Sequence, residues 1–172
     1  KKHGIIVEWY LSPFNQYGQE ILSAESPSKK LCPDVILISL HLEELLTLST
    51  TDIKQLITKA SYEYPSSIIF IHNVILMQVE PLQFLEWNIK NSKSYRLSQV
   101  NIFLSDIVQK LANVFLLDLG NLICTYGSEK MFDPRYYYLA KMQFSSFGNI
   151  KIAEQFCQAI TTVLGKRKKC LI

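Results

Sequence analysis

The densest group of polar side chains in the sequence lies at residues 133–138, which read DPRYYY. A guanidinium binds a phosphate or a carboxylate through paired hydrogen bonds, and a neighbouring carboxylate can hold it in place. Asp133, Arg135 and Tyr136 are therefore candidate catalytic residues. The same segment also suits a helix start, with Asp133 as the N-cap, Pro134 at the first helical position and Arg135 in solvent. Both interpretations stay open.

A second group of candidates follows apolar runs that have the character of strands. A histidine at the end of such a run, as at His72, could act as a general base or a hydrogen-bond donor, so we include it among the catalytic candidates. Asn73 beside it is a candidate for substrate binding. The alternative is a partly buried histidine whose neighbours satisfy it. His41, with Glu43 and Glu44 after it, is better explained as a helix start with acidic residues in the first turn.

Amide and phenol groups of Asn15 and Tyr17 could also contact a ligand, and we predict a substrate-binding role for both. Asn15 equally suits the N-cap of a helix that runs through Gln19, Ile21 and Leu22.

Known motifs for nucleotides, metals and nucleophiles are missing from the sequence, which has no GxGxxG, GxxxxGK[ST], GxSxG, HExxH or CxxC pattern. We therefore expect neither a metal site nor a bound cofactor in this chain. The four cysteines are widely scattered, which favours reduced thiols and a cytoplasmic location.

The composition, 48% hydrophobic and 19% charged, is that of a folded domain rather than a disordered one. The apolar runs are shorter than the roughly 20 residues that span a bilayer, so we expect no membrane segment. Basic residues concentrate at Lys29, Lys30 and residues 166–169 instead of covering a face together with aromatic residues. This distribution argues against a nucleic-acid partner.

The elements that must position these residues alternate between strand and helix. Apolar runs predict strands at residues 5–11, 35–39, 68–72 and 114–117, and the run at 35–39 is typical of a strand buried on both faces. Helical spacing predicts helices at residues 51–62, at 98–113 and from 145 to 163, the last closed by Gly165. Residues 23–30 and 120–135 are predicted to be loops. This order predicts a three-layer α/β/α fold with a mostly parallel sheet, of the flavodoxin-like kind, with ligands beyond the carboxyl ends of the strands.

Several segments, taken in order, resemble the N-terminal domain of FkbH-like proteins. They are Gly4-Ile5, residues 14–21 (FNQYGQEI), 32–37 (CPDVIL), 115–118 (FLLD), 132–142 (FDPRYYYLAKM) and 168–172 (KKCLI). The resemblance implies an SGNH-hydrolase type of fold over residues 1–165. It also implies that residues 166–172 form a basic connection into a following phosphatase domain of the HAD superfamily, which this chain does not contain.

What the resemblance implies about function concerns the whole protein. FkbH-like proteins are glyceryl transferases and phosphatases that make glyceryl-acyl carrier protein from a phosphorylated glycerate for polyketide biosynthesis. Magnesium is expected in the HAD-type domain and no cofactor in this part. The expected partners are an acyl carrier protein and the HAD-type domain, with Lys29, Lys30 and residues 166–169 as contacts for the acidic carrier.

Only part of the catalytic pattern of SGNH hydrolases has a match in this chain. Asp133 matches the aspartate of their terminal Asp-x-x-His pair, but Tyr136 stands where the histidine should be, and a phenol is a poor general base at neutral pH. Their serine would lie before Lys1. We therefore expect a degenerate domain that docks the carrier protein or shapes the acceptor side. The alternatives are an acyl-ester hydrolase or acyltransferase with its serine upstream, and a purely structural module.

Overall fold

A computed structural model describes residues 7–13, 16–23, 25–40, 48–76, 82–140 and 142–165. The chain divides into two compact units, one made of Trp9–Leu116 and the other of Lys1–Glu8 with Leu117–Ile172. Each unit is described by itself below.

The unit Trp9–Leu116 contains a parallel sheet of three strands in the order β1-β2-β3. Its elements are α1 (Tyr17–Leu22), α2 (Pro27–Leu31), β1 (Val35–Ile38), α3 (Thr50–Glu63), β2 (Ile68–His72), a 3-10 helix (Gln83–Asn88), α4 (Lys93–Val108) and β3 (Val114–Leu117). The central strand β2 pairs with β1 in a register that sets Ile38 opposite Ile71.

The core of this unit lies on one face of the sheet. Alternate residues of a strand point to opposite faces, and Ile69 and Ile71 of β2 contact the buried stripes of α3 and α4. Those stripes recur at helical spacing; they are Ile53, Ile57 and Ala60 in α3, and Leu97, Val100, Leu104 and Ile107 in α4. On the other face, Phe70 is fully buried, with its ring centroid 5.7 Å from that of Phe115.

The second unit is helical in its described residues. It contains α5 (Leu119–Tyr126), α6 (Ser128–Met131), α7 (Pro134–Ala140) and α8 (Ser146–Val163). Phe132, which follows α6, forms an antiparallel bridge with Phe144, which precedes α8, and their stacked rings have centroids 5.4 Å apart. Ser145 caps α8 by accepting a hydrogen bond from the backbone N–H of Gly148 at 2.9 Å.

The structure confirms the predicted α/β class with a parallel sheet. The strand predicted at residues 68–72 matches β2, the one at 114–117 matches β3, and β1 ends one residue earlier than predicted. α3 and α8 also lie where the apolar spacing placed them, and Gly165 follows α8 with a φ of +68°. Among the described residues, no helix has the length and apolar character needed to cross a membrane.

Several predicted elements are wrong. Residues 7–11 of the predicted first strand lie in no strand, and residues 23–30 include the start of α2, where Ser26 is the N-cap and Pro27 the first residue. The predicted burial of β1 on both faces fails because Leu37 is 44% exposed. α4 begins at Lys93 with Ser92 as its N-cap, five residues before the prediction, and ends at Val108.

The predicted loop at residues 120–135 is also wrong, since it contains most of α5 and all of α6. Asp118 caps α5 by accepting a hydrogen bond from the N–H of Asn121, and Gly127 separates the two helices. Gly127, Asp133 and Pro134 are residues typical of loops, but here they lie at the junctions between short helices.

The end of α3 carries a carboxylate held by two lysines. Glu63 Oε2 lies 2.7 Å from Lys29 Nζ, and Glu63 Oε1 lies 2.9 Å from Lys59 Nζ. A negative charge at the last turn of a helix is disfavoured by the helix dipole, and the two ammonium groups offset this. Hydrogen bonds from Lys29, and then from Lys59, lower the pKa of Glu63 from its ordinary 4.5 to about 2.

We expect Glu63→Gln to destabilise the chain in a pH-dependent way. Because the folded pKa lies below the ordinary value, the carboxylate stabilises the fold fully above about pH 4.5, and the effect is lost as the pH falls toward 2. Urea denaturation from pH 7 to pH 2.5 should therefore show a difference from the wild type that shrinks as the pH falls. Glu129→Gln, at an exposed glutamate of α6, is the control and should show no such trend. A constant difference down to pH 2.5 would contradict this account.

Candidate active site at the carboxyl ends of β1 and β2

The carboxyl ends of β1 and β2 bring a serine and a histidine together. The register sets Ile38 opposite Ile71, so the next residues, Ser39 and His72, also lie opposite each other on the other face of the sheet. Ser39 Oγ lies 3.0 Å from His72 Nε2. The histidine is buried and the serine is exposed. The imidazole of a buried histidine therefore contacts the hydroxyl of an exposed serine.

The hydrogen bond made by the second ring nitrogen of His72 determines which of the two nitrogens carries the proton. His72 Nδ1 lies 2.9 Å from the carbonyl oxygen of Asn73. A carbonyl can only accept a hydrogen bond, so Nδ1 carries a proton and donates it. In the neutral ring Nε2 is then the acceptor, and the Ser39 hydroxyl donates to it. A hydroxyl that donates to the unprotonated nitrogen of an oriented histidine is the arrangement of an activated nucleophile.

The segment after His72 is held by an amide from α4. Asn101 Oδ1 accepts a hydrogen bond from the N–H of Val74 at 2.9 Å, and Asn101 Nδ2 donates to the Val74 carbonyl at 2.8 Å. These two bonds hold the backbone at Val74, whose N–H belongs to the same peptide group as the Asn73 carbonyl. Asn101 therefore helps to position the carbonyl that orients His72.

The other predicted binding residues of this unit are Asn15, Tyr17 and Asn73. Tyr17 is the first residue of α1, and it packs against the apolar core. Asn73 contacts His72 through its backbone carbonyl. Asn15 and His41 lie outside the described residues, so their predicted roles stay predictions.

The remaining candidates, Asp133, Arg135 and Tyr136, lie together at the start of α7 in the other unit. Arg135 Nη2 donates to Asp133 Oδ2 at 2.8 Å and Arg135 Nε to Asp133 Oδ1 at 3.1 Å, while the N–H of Arg135 also donates to Oδ1 at 3.0 Å. The side-chain hydrogen bond from Arg135 lowers the pKa of Asp133, and the carboxylate in turn raises the pKa of the guanidinium. The aspartate thus holds the arginine and also caps the helix. The predicted catalytic roles of Asp133, Arg135 and Tyr136 stay predictions.

α7 contains no buried residue, and one of its faces carries large side chains that are exposed to solvent. Arg135, Tyr138 and Leu139 recur at the i, i+3 and i+4 spacing of a single helical face, and we call them the α7 stripe. Their exposed fractions are large: 83% for the Arg135 side chain, 70% for Tyr138 and 85% for Leu139. Large apolar side chains exposed side by side mark a contact surface more often than single exposed ones do.

A metal site is not built from the part of the chain that the structure describes, where no three side chains of His, Cys, Asp or Glu come together. Asp133 is engaged with Arg135, which competes with a cation for its oxygens. The side chains within the described ranges therefore do not form a site that suits the magnesium of a HAD-type domain.

The model of the FkbH N-terminal domain family matches residues 1–164 of this chain. The chain belongs to this family. A solved structure, the N-terminal part of the protein BF1531 from Bacteroides fragilis, containing a phosphatase domain and complexed with Mg, matches with a TM-score of 0.73 at 24% sequence identity. The match covers 95% of this chain and 46% of that chain, so the present chain spans less than half of that protein. No curated protein matches the chain.

Two residues of this FkbH N-terminal domain were missed from the sequence alone. The sequence predicts Ser39 only as the last residue of a strand, and it predicts Asn101 only as part of an amphipathic helix. A signal for Ser39 existed, since it ends one apolar run and His72 ends the next, and parallel neighbours place such ends side by side. Asn101 had no comparable signal, because its partner is the backbone of Val74.

Proposed function

We propose that this chain is the N-terminal module of an FkbH-like protein that makes glyceryl-acyl carrier protein for polyketide assembly, and that it docks the carrier protein. The family match over residues 1–164 supports the parent protein. The α7 stripe is the observation that carries the docking role. In this proposal the glyceryl unit comes from a phosphorylated glycerate, and the chemistry on its phosphate belongs to a HAD-type domain that uses magnesium.

The arrangement of the predicted SGNH residues supports a role in binding rather than in hydrolysis for the second unit. Asp133 is occupied by Arg135, and Tyr136 offers a phenol in the place of a general base. The relative from Bacteroides fragilis contains a phosphatase domain, and this chain matches 46% of it. Both observations are consistent with a second unit that does not hydrolyse a substrate and that residues 166–172 connect to a phosphatase domain in the full protein.

The chemistry of the α7 stripe suits an acidic, amphipathic partner such as a carrier protein. Tyr138 and Leu139 offer apolar area, and Lys130, exposed at the end of α6, offers a positive charge. Arg135 lies on the same face as Tyr138 and Leu139, and Asp133 balances its charge, so it contributes contact area rather than net charge. Aromatic and arginine side chains of this kind dominate the binding energy of many interfaces. Basic groups at the rim steer an acidic partner, and this steering weakens as the salt concentration rises.

The structure changes which basic residues are suitable contacts. Lys29 is bound to Glu63 at 2.7 Å and is mostly covered, so its charge is already balanced. Lys30 is exposed in the last turn of α2 and stays a candidate contact. The run at residues 166–169 lies outside the described residues.

We expect Leu139→Asp to weaken the binding of a purified holo-acyl carrier protein at least about tenfold, because it replaces the most exposed apolar side chain of the stripe with a charge that repels an acidic partner. Isothermal titration calorimetry at low and at moderate salt measures the effect. Leu22→Asp, at an exposed leucine of α1, is the matched control and should bind as the wild type does. Equal losses in both variants, or no loss in either, would exclude the α7 stripe as the docking surface.

A further inference from the structure

We propose that Ser39 is the nucleophile of an acyl-transfer site in this chain, with His72 as its general base and a carboxylic ester or thioester as its substrate. From the sequence alone, the acyltransferase alternative requires a serine that lies before Lys1. The geometry supplies one inside the chain, 3.0 Å from the imidazole. This site belongs to the unit Trp9–Leu116, whereas the α7 stripe belongs to the other unit, so the two proposals are tested by different variants.

The first argument for the site is the contrast in burial between its two members. The buried Ser67 donates to the carbonyl of Pro33 at 2.6 Å, and the buried Ser26 caps α2 and contacts the hydroxyl of Ser28. Ser39 instead contacts a side chain that can take its proton, and Ser39 is an exposed residue.

The second argument is the orientation of the base. The Asn73 carbonyl accepts from His72 Nδ1, and Asn101 holds the adjoining peptide through both polar atoms of its amide. The carbonyl keeps Nε2 unprotonated in the neutral ring, and it stabilises the imidazolium that forms when Nε2 takes a proton. The base is therefore oriented by a third group, as activated serines require.

The third argument concerns the space beside the serine. Leu37 lies two residues before Ser39, so both side chains point to the same face of the sheet. Leu37 is 44% exposed although it lies in a strand of the sheet. An exposed leucine next to the hydroxyl offers an apolar surface for the acyl chain of a substrate, which favours acyl esters and thioesters over charged substrates.

The reaction follows from these positions. Ser39 Oγ attacks the carbonyl carbon of the substrate while its proton passes to His72 Nε2. The bond from that carbon to the leaving oxygen or sulfur then breaks, and the leaving group takes the proton from Nε2, which leaves an ester on Ser39. Water, or the hydroxyl or thiol of an acceptor, next attacks this ester and gives its proton to Nε2. The bond to Oγ breaks, and Ser39 regains the proton.

The test uses the 172-residue chain and an alkyl fluorophosphonate, which reacts with an activated serine by losing fluoride. We expect the wild type to be labelled at Ser39, as located by peptide mass spectrometry, and Ser39→Ala to show only background labelling. His72→Gln keeps a hydrogen-bonding group near Ser39 but cannot take its proton, so it should slow labelling by about 100-fold. Ser146→Ala, at an exposed serine in the first turn of α8, is the matched control and should be labelled at the wild-type rate.

Circular dichroism shows whether each variant is folded. The proposal would be overturned if the Ser39→Ala variant were labelled as strongly as the wild type, or if the wild type were not labelled at Ser39. A His72→Gln variant that is folded and labelled as fast as the wild type would show that the histidine only ties the two strands together.

Discussion

Gly148→Ala is expected to lower the free energy of unfolding by about 3 kcal/mol, the upper end for overpacking of a filled site. A Cβ on Gly148 would overlap the carbonyl oxygen of Met131 and lie 3.2 Å from its carbonyl carbon. That carbonyl cannot easily turn away, because it accepts a hydrogen bond from the N–H of Ser145 at 2.9 Å. The gain of about 1 kcal/mol that alanine brings to a helix is too small to compensate. Urea denaturation followed by circular dichroism measures the loss.

The chain offers a matched control for this variant in Gly18, which also lies in a helix. A Cβ built at Gly18 meets no atom within 4 Å. Gly18→Ala should therefore leave the stability unchanged or raise it slightly. If Gly148→Ala proved as stable as Gly18→Ala, the close approach of α8 to α6 would be refuted.

Asn113→Ala is the second large effect that we expect, a loss of about 3 kcal/mol. Asn113 immediately precedes β3, and its Nδ2 donates to the carbonyls of Tyr64 and Ser67 at 3.0 and 3.2 Å. Its Oδ1 accepts from the hydroxyl of Ser61. One amide thus closes the turn between α3 and β2 and ties it to β3. Alanine leaves several partly buried polar groups without these partners, and urea denaturation measures the cost.

Asn113→Asp separates the roles of the two amide atoms. The carboxylate still accepts from Ser61, but it sets an oxygen against carbonyl oxygens that the amide nitrogen had bound. At neutral pH we therefore expect Asp to cost at least as much as Ala. Asn149→Ala, at an exposed position of α8, should stay within about 0.5 kcal/mol of the wild type. A stable Asn113→Asp would show that the nitrogen does not make these bonds.

The strands and the long helices could be predicted because their signals are local. β2 and β3 are runs of large apolar residues in a chain that alternates strands with amphipathic helices, and α3 has both an apolar stripe and a complete capping box formed by Ser49 and Asp52. Predictions of secondary structure were wrong where local signals conflict. The segment from 120 to 135 contains Gly127 and Pro134, which are typical of loops, although in the structure they separate short helices.

The first predicted strand failed for a different reason. Residues 7–11 alternate in a way that suits a strand, yet Trp9 and Leu11 are exposed and lie outside the sheet. Pairing with a neighbour decides whether such a run becomes a strand, and the run itself does not contain that information.

The sequence by itself determined the α/β class, the positions of the buried strands, and His72 as a polar residue at the end of one of them. Only the tertiary structure decided which residue faces that histidine, because the register between β1 and β2 brings Ser39 to His72 from 33 positions away. The structure also decided that Arg135 is held by Asp133 and that the α7 stripe faces solvent. The periodicity of a helix defines its faces, but only the packing of its neighbours determines which face is covered.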